Sequence, residues 1–324
     1  MKSNLILVTG ASGFIGQRVY LDLLDSGLRV RILLRSKSIL NLGIHPNLEV
    51  AYGDLLNFND LRAACRGVDF IVHLAGIAHT EIKQSALRKI NVDGMELMLR
   101  AAISQKVKKF VFISSSLAAD IEREADKVSG YATTKLDSER LLMEEHRNGN
   151  ICGVILRPVN VYGAGMRGNI ALLIRLISRG LLPTLPVLVN RISLVGVGDL
   201  SNAIYLSLNS ERANGKTYLV TDGQCYQISE IERGIYKALG KEMTGWKLPR
   251  VLLYSAFLLA DLTARFLWLF RRKWPILASL NLRAYNKLVS DNLFDNSKIC
   301  EELLFQPKST FYTELPKIVG ENDR

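Results

Sequence analysis

Tyr131 and Lys135 stand four residues apart in Tyr131-Ala132-Thr133-Thr134-Lys135, a spacing that puts both side chains on one face of a helix. An ammonium beside a phenol favours the phenolate, so the pair is expected to lower the tyrosine pKa and make Tyr131 a proton donor or acceptor near neutral pH. Upstream, Ser114-Ser115-Ser116 follows the apolar run Phe110-Val111-Phe112-Ile113. A hydroxyl there can hold a reacting oxygen beside the phenol, or the serines can simply cap the turn that follows. The pair gains weight from a third motif, Thr9-Gly10-Ala11-Ser12-Gly13-Phe14-Ile15-Gly16, which joins a short apolar run to a helical pattern. Glycines at that spacing allow a tight turn and let the backbone approach a pyrophosphate at the helix N-terminus. After the second apolar run comes Arg35, where an acidic residue would take the ribose hydroxyls of NAD. A guanidinium suits a 2′-phosphate, so the reading leans to NADP(H), with Arg35 and Lys37 as phosphate contacts. NAD(H), with Arg35 stacked on adenine, stays open.

These residues need a scaffold that brings several strand ends together. Apolar runs at Leu5–Thr9, Arg29–Leu34, Leu48–Ala51, Phe70–His73, Lys109–Ile113 and Ile151–Leu156 alternate with helical patterns, notably Gly13–Asp25, Ser85–Gln105 and Tyr131–His146. Strands without polar alternation separated by helices predict an α/β fold, a Rossmann-type doubly wound parallel sheet covered on both faces. Ligands in such sheets bind at the carboxyl ends of the strands. Beyond Gly163 the pattern loosens. Helices are expected at Asn169–Ser178, Leu200–Leu208 and Ile228–Leu239, with a short strand at Tyr218–Val220 and the proline-punctuated stretch Leu182–Val189. The division expected is a dinucleotide-binding domain over residues 1–165, to which 192–221 can return, and a smaller, mostly helical substrate lobe over 166–324.

The motifs in order resemble those of an extended short-chain dehydrogenase/reductase of the NAD-dependent epimerase/dehydratase type, relatives of UDP-glucose 4-epimerase. The resemblance rests on Thr9–Gly16, Gly53-Asp54-Leu55, His73-Leu74-Ala75-Gly76, Asn91-Val92-Asp93-Gly94, Ser114–Ser116, Tyr131–Lys135 and Arg157-Pro158-Val159-Asn160-Val161-Tyr162-Gly163. It implies that Gly10, Ser12, Gly13, Phe14, Ile15 and Gly16 form the cofactor turn. Asp54 and Leu55 border the adenine, and Leu74, Ala75, Gly76, Lys135 and Pro158 line the rest of the cofactor. Ser115, Tyr131 and Lys135 are the implied catalytic set, with Ser116 as the second candidate hydroxyl. Ser115, Ser116, Asn160, Asn169 and Arg191 are the implied substrate contacts, and Arg191 stands where the family holds a diphosphate. Two departures matter. The stretch after Ser115, a short loop containing Ala118-Ala119-Asp120, lacks the family's aromatic-glycine step. Ser116-Leu117 also replace the acid pair of the 4,6-dehydratases, which argues against dehydratase chemistry.

The resemblance implies an enzyme acting at C4 of a nucleotide-linked or polyprenyl-diphosphate-linked sugar in surface-polysaccharide synthesis, with a 4-ketoreductase favoured over a 4-epimerase because NADPH is a consumed reductant. Two alternatives remain open: a reductase or dehydrogenase of an apolar alcohol or sterol, and a non-catalytic NADP-binding scaffold. A homodimer is also implied.

Composition sets outer bounds. The 324 residues are 48% hydrophobic and 23% charged, ordinary for a globular protein. The net charge of +11 attracts anions, but no nucleic-acid module and no basic–aromatic interleaving is present. Cys65, Cys152, Cys225 and Cys300 lack metal-ligand spacing and are expected to be reduced core thiols; no metal site is expected. The apolar run after Ser3-Asn4 is too short for a secretory signal, so a cytoplasmic location is expected. The apolar stretch Val251–Phe270, followed by Arg271-Arg272-Lys273-Trp274, has three readings. It can pack on the substrate lobe, lie in the membrane plane with residues 251–274 against the inner face, or span a bilayer.

Overall fold

The computed structural model describes residues 4–35, 45–77, 83–123, 130–243, 245–269 and 281–322. Lys37 and the basic cluster at 271–274 lie outside them. By contacts the chain forms two units, the first comprising residues 1–161, 195–222 and 295–308, and the second 162–194, 223–294 and 309–324.

In the first unit the chain runs β1 (Leu5–Thr9), α1 (Phe14–Asp25), β2 (Arg29–Leu34), β3 (Leu48–Tyr52), α2 (Phe58–Ala64) and β4 (Phe70–His73). It continues through α3 (Gln84–Arg88), a π-turn at Lys89–Asp93, α4 (Gly94–Ser104), β5 (Lys109–Ile113), α5 (Ser116–Arg123), α6 (Gly130–Arg147) and β6 (Cys152–Pro158). The short strand β7 (Asn160–Tyr162), α7 (Asn169–Ser178) and β8 (Arg191–Gly196) lead to α8 (Val197–Asn209) and β9 (Thr217–Val220), which return to the first unit. Seven parallel strands form its sheet in the order β3-β2-β1-β4-β5-β6-β9. Every residue of β1 and β5 is buried, as strands covered on both faces must be. Leu7, Ile71, Phe110 and Ile155 of the sheet share one core with Leu61, Met95, Met98 and Leu142 of the helices. Strand order reverses between β1 and β4, and their carboxyl ends diverge there to leave a crevice.

The second unit holds α7, β10 (Cys225–Gln227), α9 (Ile228–Ala238), α10 (Arg250–Leu269) and α11 (Leu282–Val289). Then α12 (Ser297–Leu303) rejoins the first unit and α13 (Phe311–Asn322) the second. β10 pairs antiparallel with β8, and the second unit has its own core of Ile174, Ile231, Ile235, Phe311 and Leu315 around Tyr162 and Tyr226.

Three expectations are corrected. The stretch after Ser115 is helix α5 rather than a loop, because Ser115 Oγ accepts the Leu117 amide at 3.2 Å and starts the turn, while Ala118 and Ala119 are buried. The helix expected over Ser85–Gln105 is present but not uniform: α3 and α4 are joined through the π-turn at Lys89–Asp93, where Asn91 is buried. The cysteines are free, but of the four only Cys65 is fully buried, and Cys225 at the start of edge strand β10 is exposed.

Candidate active site

The glycine turn after β1 is closed by the Gly13 amide donating to the Gly10 carbonyl at 3.0 Å. Gly10 adopts φ 75°, and a Cβ there would stand 2.7 Å from the Ala75 amide nitrogen. A Cβ on Gly16 would fall 2.2 Å from the Gly10 carbonyl oxygen. Glycine at position 10 therefore lets the end of β1 approach the segment after β4, and glycine at position 16 lets the first turn of α1 seat against the glycine turn. Gly13 precedes α1 and offers no side-chain cap, so the first amides of a 12-residue helix remain available to an anion.

Below this turn is a crevice of about 300 Å³. Of the expected cofactor residues, Gly10, Ser12, Gly13, Leu74, Ala75 and Gly76 line its middle, and Arg35, Asp54 and Leu55 line the end beside β2. Phe14, Ile15 and Gly16 belong to the first turn of α1 and do not form its wall; Pro158, the last residue of β6, does not line it either. Thr9 and Gly53, which stand in the quoted motifs, complete the lining with Leu33, Leu56, Ile77 and Ile90; those four were not anticipated, since apolar wall residues carry no pattern apart from that of the core. The Asp54 carboxylate is occupied, accepting the Leu56 amide at 2.8 Å. Exposed Arg35 has no ion-pair partner among the described residues. The open amides, the glycine cradle and the unpaired guanidinium together fit a phosphorylated dinucleotide.

The second half of the site is built on α6. Lys135 is buried, and its Nζ donates to the Ile113 carbonyl at the end of β5 (2.8 Å) and lies 4.6 Å from the Phe112 ring centroid. A Cβ on Gly76 would approach that Nζ to 3.9 Å, so the ammonium borders the crevice. Tyr131 sits one turn earlier, its ring centroid 6.0 Å from Lys135 Nζ. The expected lowering of the phenol pKa is corrected. Burial pushes Tyr131 up to about 12, and the same desolvation draws Lys135 down to about 8 against the field of Glu139. Ser115, by accepting from the Leu117 amide, keeps its own O–H free to donate. Ser116 is buried at the start of α5, and the buried Ser114 Oγ has no hydrogen-bond partner among the described residues.

Two devices hold α6 in place, and neither was legible as a spacing. In the first, Asn91 of the π-turn accepts the Ile77 amide at 2.8 Å and donates to the Ile77 carbonyl and to Thr134 Oγ1, both at 3.0 Å. Thr134 Oγ1 donates in turn to the Tyr131 carbonyl at 2.8 Å, and Ser138 Oγ reaches the Asn91 carbonyl at 2.9 Å. The crevice wall and α6 are thus tied through one amide. In the second, buried Arg157 of β6 forks onto two carboxylates, Glu139 of α6 at 2.6 Å and Glu122 of α5 at 2.7 Å. Behind the turn, buried His73 bonds Thr9 Oγ1 at 2.8 Å, and that oxygen also accepts the Ala75 amide at 3.2 Å. Burial, with the nearby Lys135 charge, lowers His73 to about 3.

The structure therefore brings Lys135 to the end of β5 at the edge of the crevice with Tyr131 one helical turn away, while Ser115 follows β5 by two residues; Ser115 and Tyr131 are not among the residues that line the crevice. Asn160 is exposed at the start of β7. Asn169 and Arg191 belong to the second unit, where Asn169 opens α7 and the Arg191 guanidinium lies 4.0 Å from the Asp291 carboxylate.

The chain is similar to known proteins in sequence and in fold. A UDP-glucose 4-epimerase of Vibrio cholerae is 29% identical over 261 residues, covering 75% of this chain and 78% of that protein. A 3 beta-hydroxysteroid dehydrogenase/Delta 5-->4-isomerase of Mycobacterium tuberculosis is 26% identical over 335 residues, covering 94% of this chain and 86% of that one. The crystal structure of a Thermotoga maritima UDP-glucose 4-epimerase superposes with a TM-score of 0.76 at 20% identity, covering 98% of each chain, which shows a common fold. The family model for the NAD dependent epimerase/dehydratase family matches residues 6–221, a span that includes the glycine turn, the crevice, Ser115, Tyr131 and Lys135. The chain belongs to that family.

Proposed function

We propose that this protein is an NADPH-dependent ketoreductase acting at C4 of a sugar carried on a nucleotide or polyprenyl diphosphate, in the synthesis of a surface polysaccharide. The observation that carries the direction is Arg35: an unpaired guanidinium at the end of β2 suits the 2′-phosphate of a consumed reductant. A nicotinamide dinucleotide bound in the crevice supplies hydride. With such a group bound, Tyr131 would give its proton to the carbonyl oxygen as the carbonyl carbon is reduced, leaving a C4 hydroxyl. Burial keeps the phenol protonated and so suited to donation. Ser115 donates its free O–H to the same oxygen and holds it in line. Lys135 keeps positive charge between the phenol and the Gly76 wall. The sugar assignment is supported by the likeness to the Vibrio epimerase.

The test is stoichiometric: purified enzyme with NADPH and a UDP-4-keto-sugar is expected to oxidise one NADPH per ketone reduced. Interconversion of C4 epimers without net NADPH loss would replace the reductase with an epimerase.

A second reading, a dehydrogenase of a sterol-like alcohol, is favoured by one observation: Arg191, the arginine expected to hold a diphosphate, already faces Asp291. The likeness to the Mycobacterium hydroxysteroid enzyme spans nearly the whole chain and supports it too. Turnover of a 3β-hydroxysteroid with NAD(P) and none of the keto-sugar would establish that reading.

A further inference from the structure

Helix α10 is apolar on both sides. One row, Leu253, Phe257 and Ala260, faces inward, with Leu253 and Phe257 packed on the second unit's core. The opposite row faces solvent: Val251 is 73% exposed, Leu252 52%, Leu259 62% and Leu262 51%. A helix serving only to cover a core has polar residues there. The apolar surface extends past the helix. Arg250 Nη2 donates to the Val187 carbonyl at 2.7 Å and the Leu248 amide to the Thr184 carbonyl at 2.9 Å. These bonds hold residues 184–187 against the start of α10, and Val187, Val189 and Trp246 are exposed.

Charge is concentrated in the same unit. The sequence of the second unit has 17 basic and 8 acidic residues, a net of +9, whereas the larger first unit has 25 and 23, a net of +2. Lys241, Lys247 and Arg250 lead into α10, and in the sequence Arg271, Arg272 and Lys273 follow it. Over 241–273 the opposing acids are Glu242 and Asp261, and Asp261 is half-buried and already partnered. An apolar ridge with exposed tryptophan, bordered by cations, complements the boundary between acyl chains and anionic headgroups. Among the described residues no helix is long and apolar enough to cross a membrane.

We propose that the outer face of α10, with Trp246 and the 187–189 segment, docks this protein onto an anionic phospholipid bilayer, the helix lying in the plane of the surface. The docking does not depend on the proposed reaction. It draws on two independent attractions, apolar burial of the ridge and electrostatic attraction of the basic border.

Flotation of the full chain with vesicles of phosphatidylcholine, with and without phosphatidylglycerol, tests it. The protein is expected to float with the phosphatidylglycerol vesicles at low salt, to float roughly tenfold less with pure phosphatidylcholine, and to be partly released by high salt. The double variant Leu252→Asp, Leu259→Asp is expected to lose at least roughly tenfold in vesicle binding. Both side chains are exposed, so its melting temperature and NADPH-induced fluorescence change should match wild type. Equal flotation of variant and wild type, or none by either, overturns the proposal. So does a wild-type dimer that the double variant converts to monomer without any vesicle binding, which would make the ridge a contact between copies. Wild type that resists alkaline carbonate extraction would be inserted through the bilayer rather than docked, and that also overturns it.

Discussion

The Lys135 ammonium donates to the carbonyl of Ile113 at 2.8 Å, which fastens it to the last residue of β5 and leaves the ring centroid of Tyr131 6.0 Å away. The consequence is electrostatic. Buried Lys135 and half-buried Tyr131 are both desolvated and each resists the change that burial makes costly, so the resting states near neutral pH are a neutral phenol and an ammonium that deprotonates at about 8 rather than in the ordinary lysine range. In the proposed reaction the tyrosine therefore acts as an acid.

Tyr131→Phe should therefore lower kcat by roughly 10²–10⁴-fold, the usual contribution of a positioned proton donor, with NADPH affinity unchanged. Steady-state rates alongside fluorescence titration of NADPH check this. Undiminished turnover in the variant would remove Tyr131 from the chemistry.

Lys135 sets a pH window. Its ammonium is present below about 8 and lost above it, so activity should fall as pH rises through that value. Stability moves the other way. The folded pKa lies below the unfolded one, so the stabilising contribution is complete above the ordinary lysine range and lost as pH falls through about 8. A rate profile over the alkaline range checks the first point, and Lys135→Arg, which keeps its charge, should lack the falling limb.

Arg35→Ala should weaken NADPH binding by roughly 10–100-fold, the worth of one or two charge-assisted bonds to a phosphate, and leave NADH nearly unaffected. Titrating both nucleotides against both proteins measures it. Equal losses for the two would show that Arg35 does not read the 2′-phosphate.

Arg157→Met should destabilise the fold by about 3–5 kcal/mol, because it strands the Glu139 carboxylate inside the protein. Adding Glu139→Leu should recover most of that loss. Denaturant melts of the single and double variants give the answer. A single variant as stable as wild type would mean that the pair contributes nothing to holding α6.

Much of this molecule was legible in order along the chain. The strands β1, β2, β4 and β5 and the helices α7 and α9 follow from apolar periodicity, and the glycine turn follows from backbone chemistry that tolerates no Cβ. Short elements escaped. Helix α2 is capped by Asn57, and α5 by Ser115, on residues that read equally well as loop. The seven-residue α12 is brief enough for its amphipathic pattern to blend with turns, and the twelve-residue α13 carries Pro316 inside it, a residue that reads as a break. The π-turn had no sequence mark at all, because a single extra residue in a helix leaves composition unchanged.

By itself the sequence determined which residues could meet at the crevice: glycine spacing, the Tyr–Lys interval and the arginine after β2 are local properties, and local sterics and helix period dictate them. The tertiary structure alone decided what those residues are electrically and what lies outside them. The protonation of Tyr131, the fork of Arg157 onto Glu122 and Glu139, and the apolar outer face of α10 all depend on which distant segments exclude or admit water, and burial is a property of the packed chain that no window of residues contains.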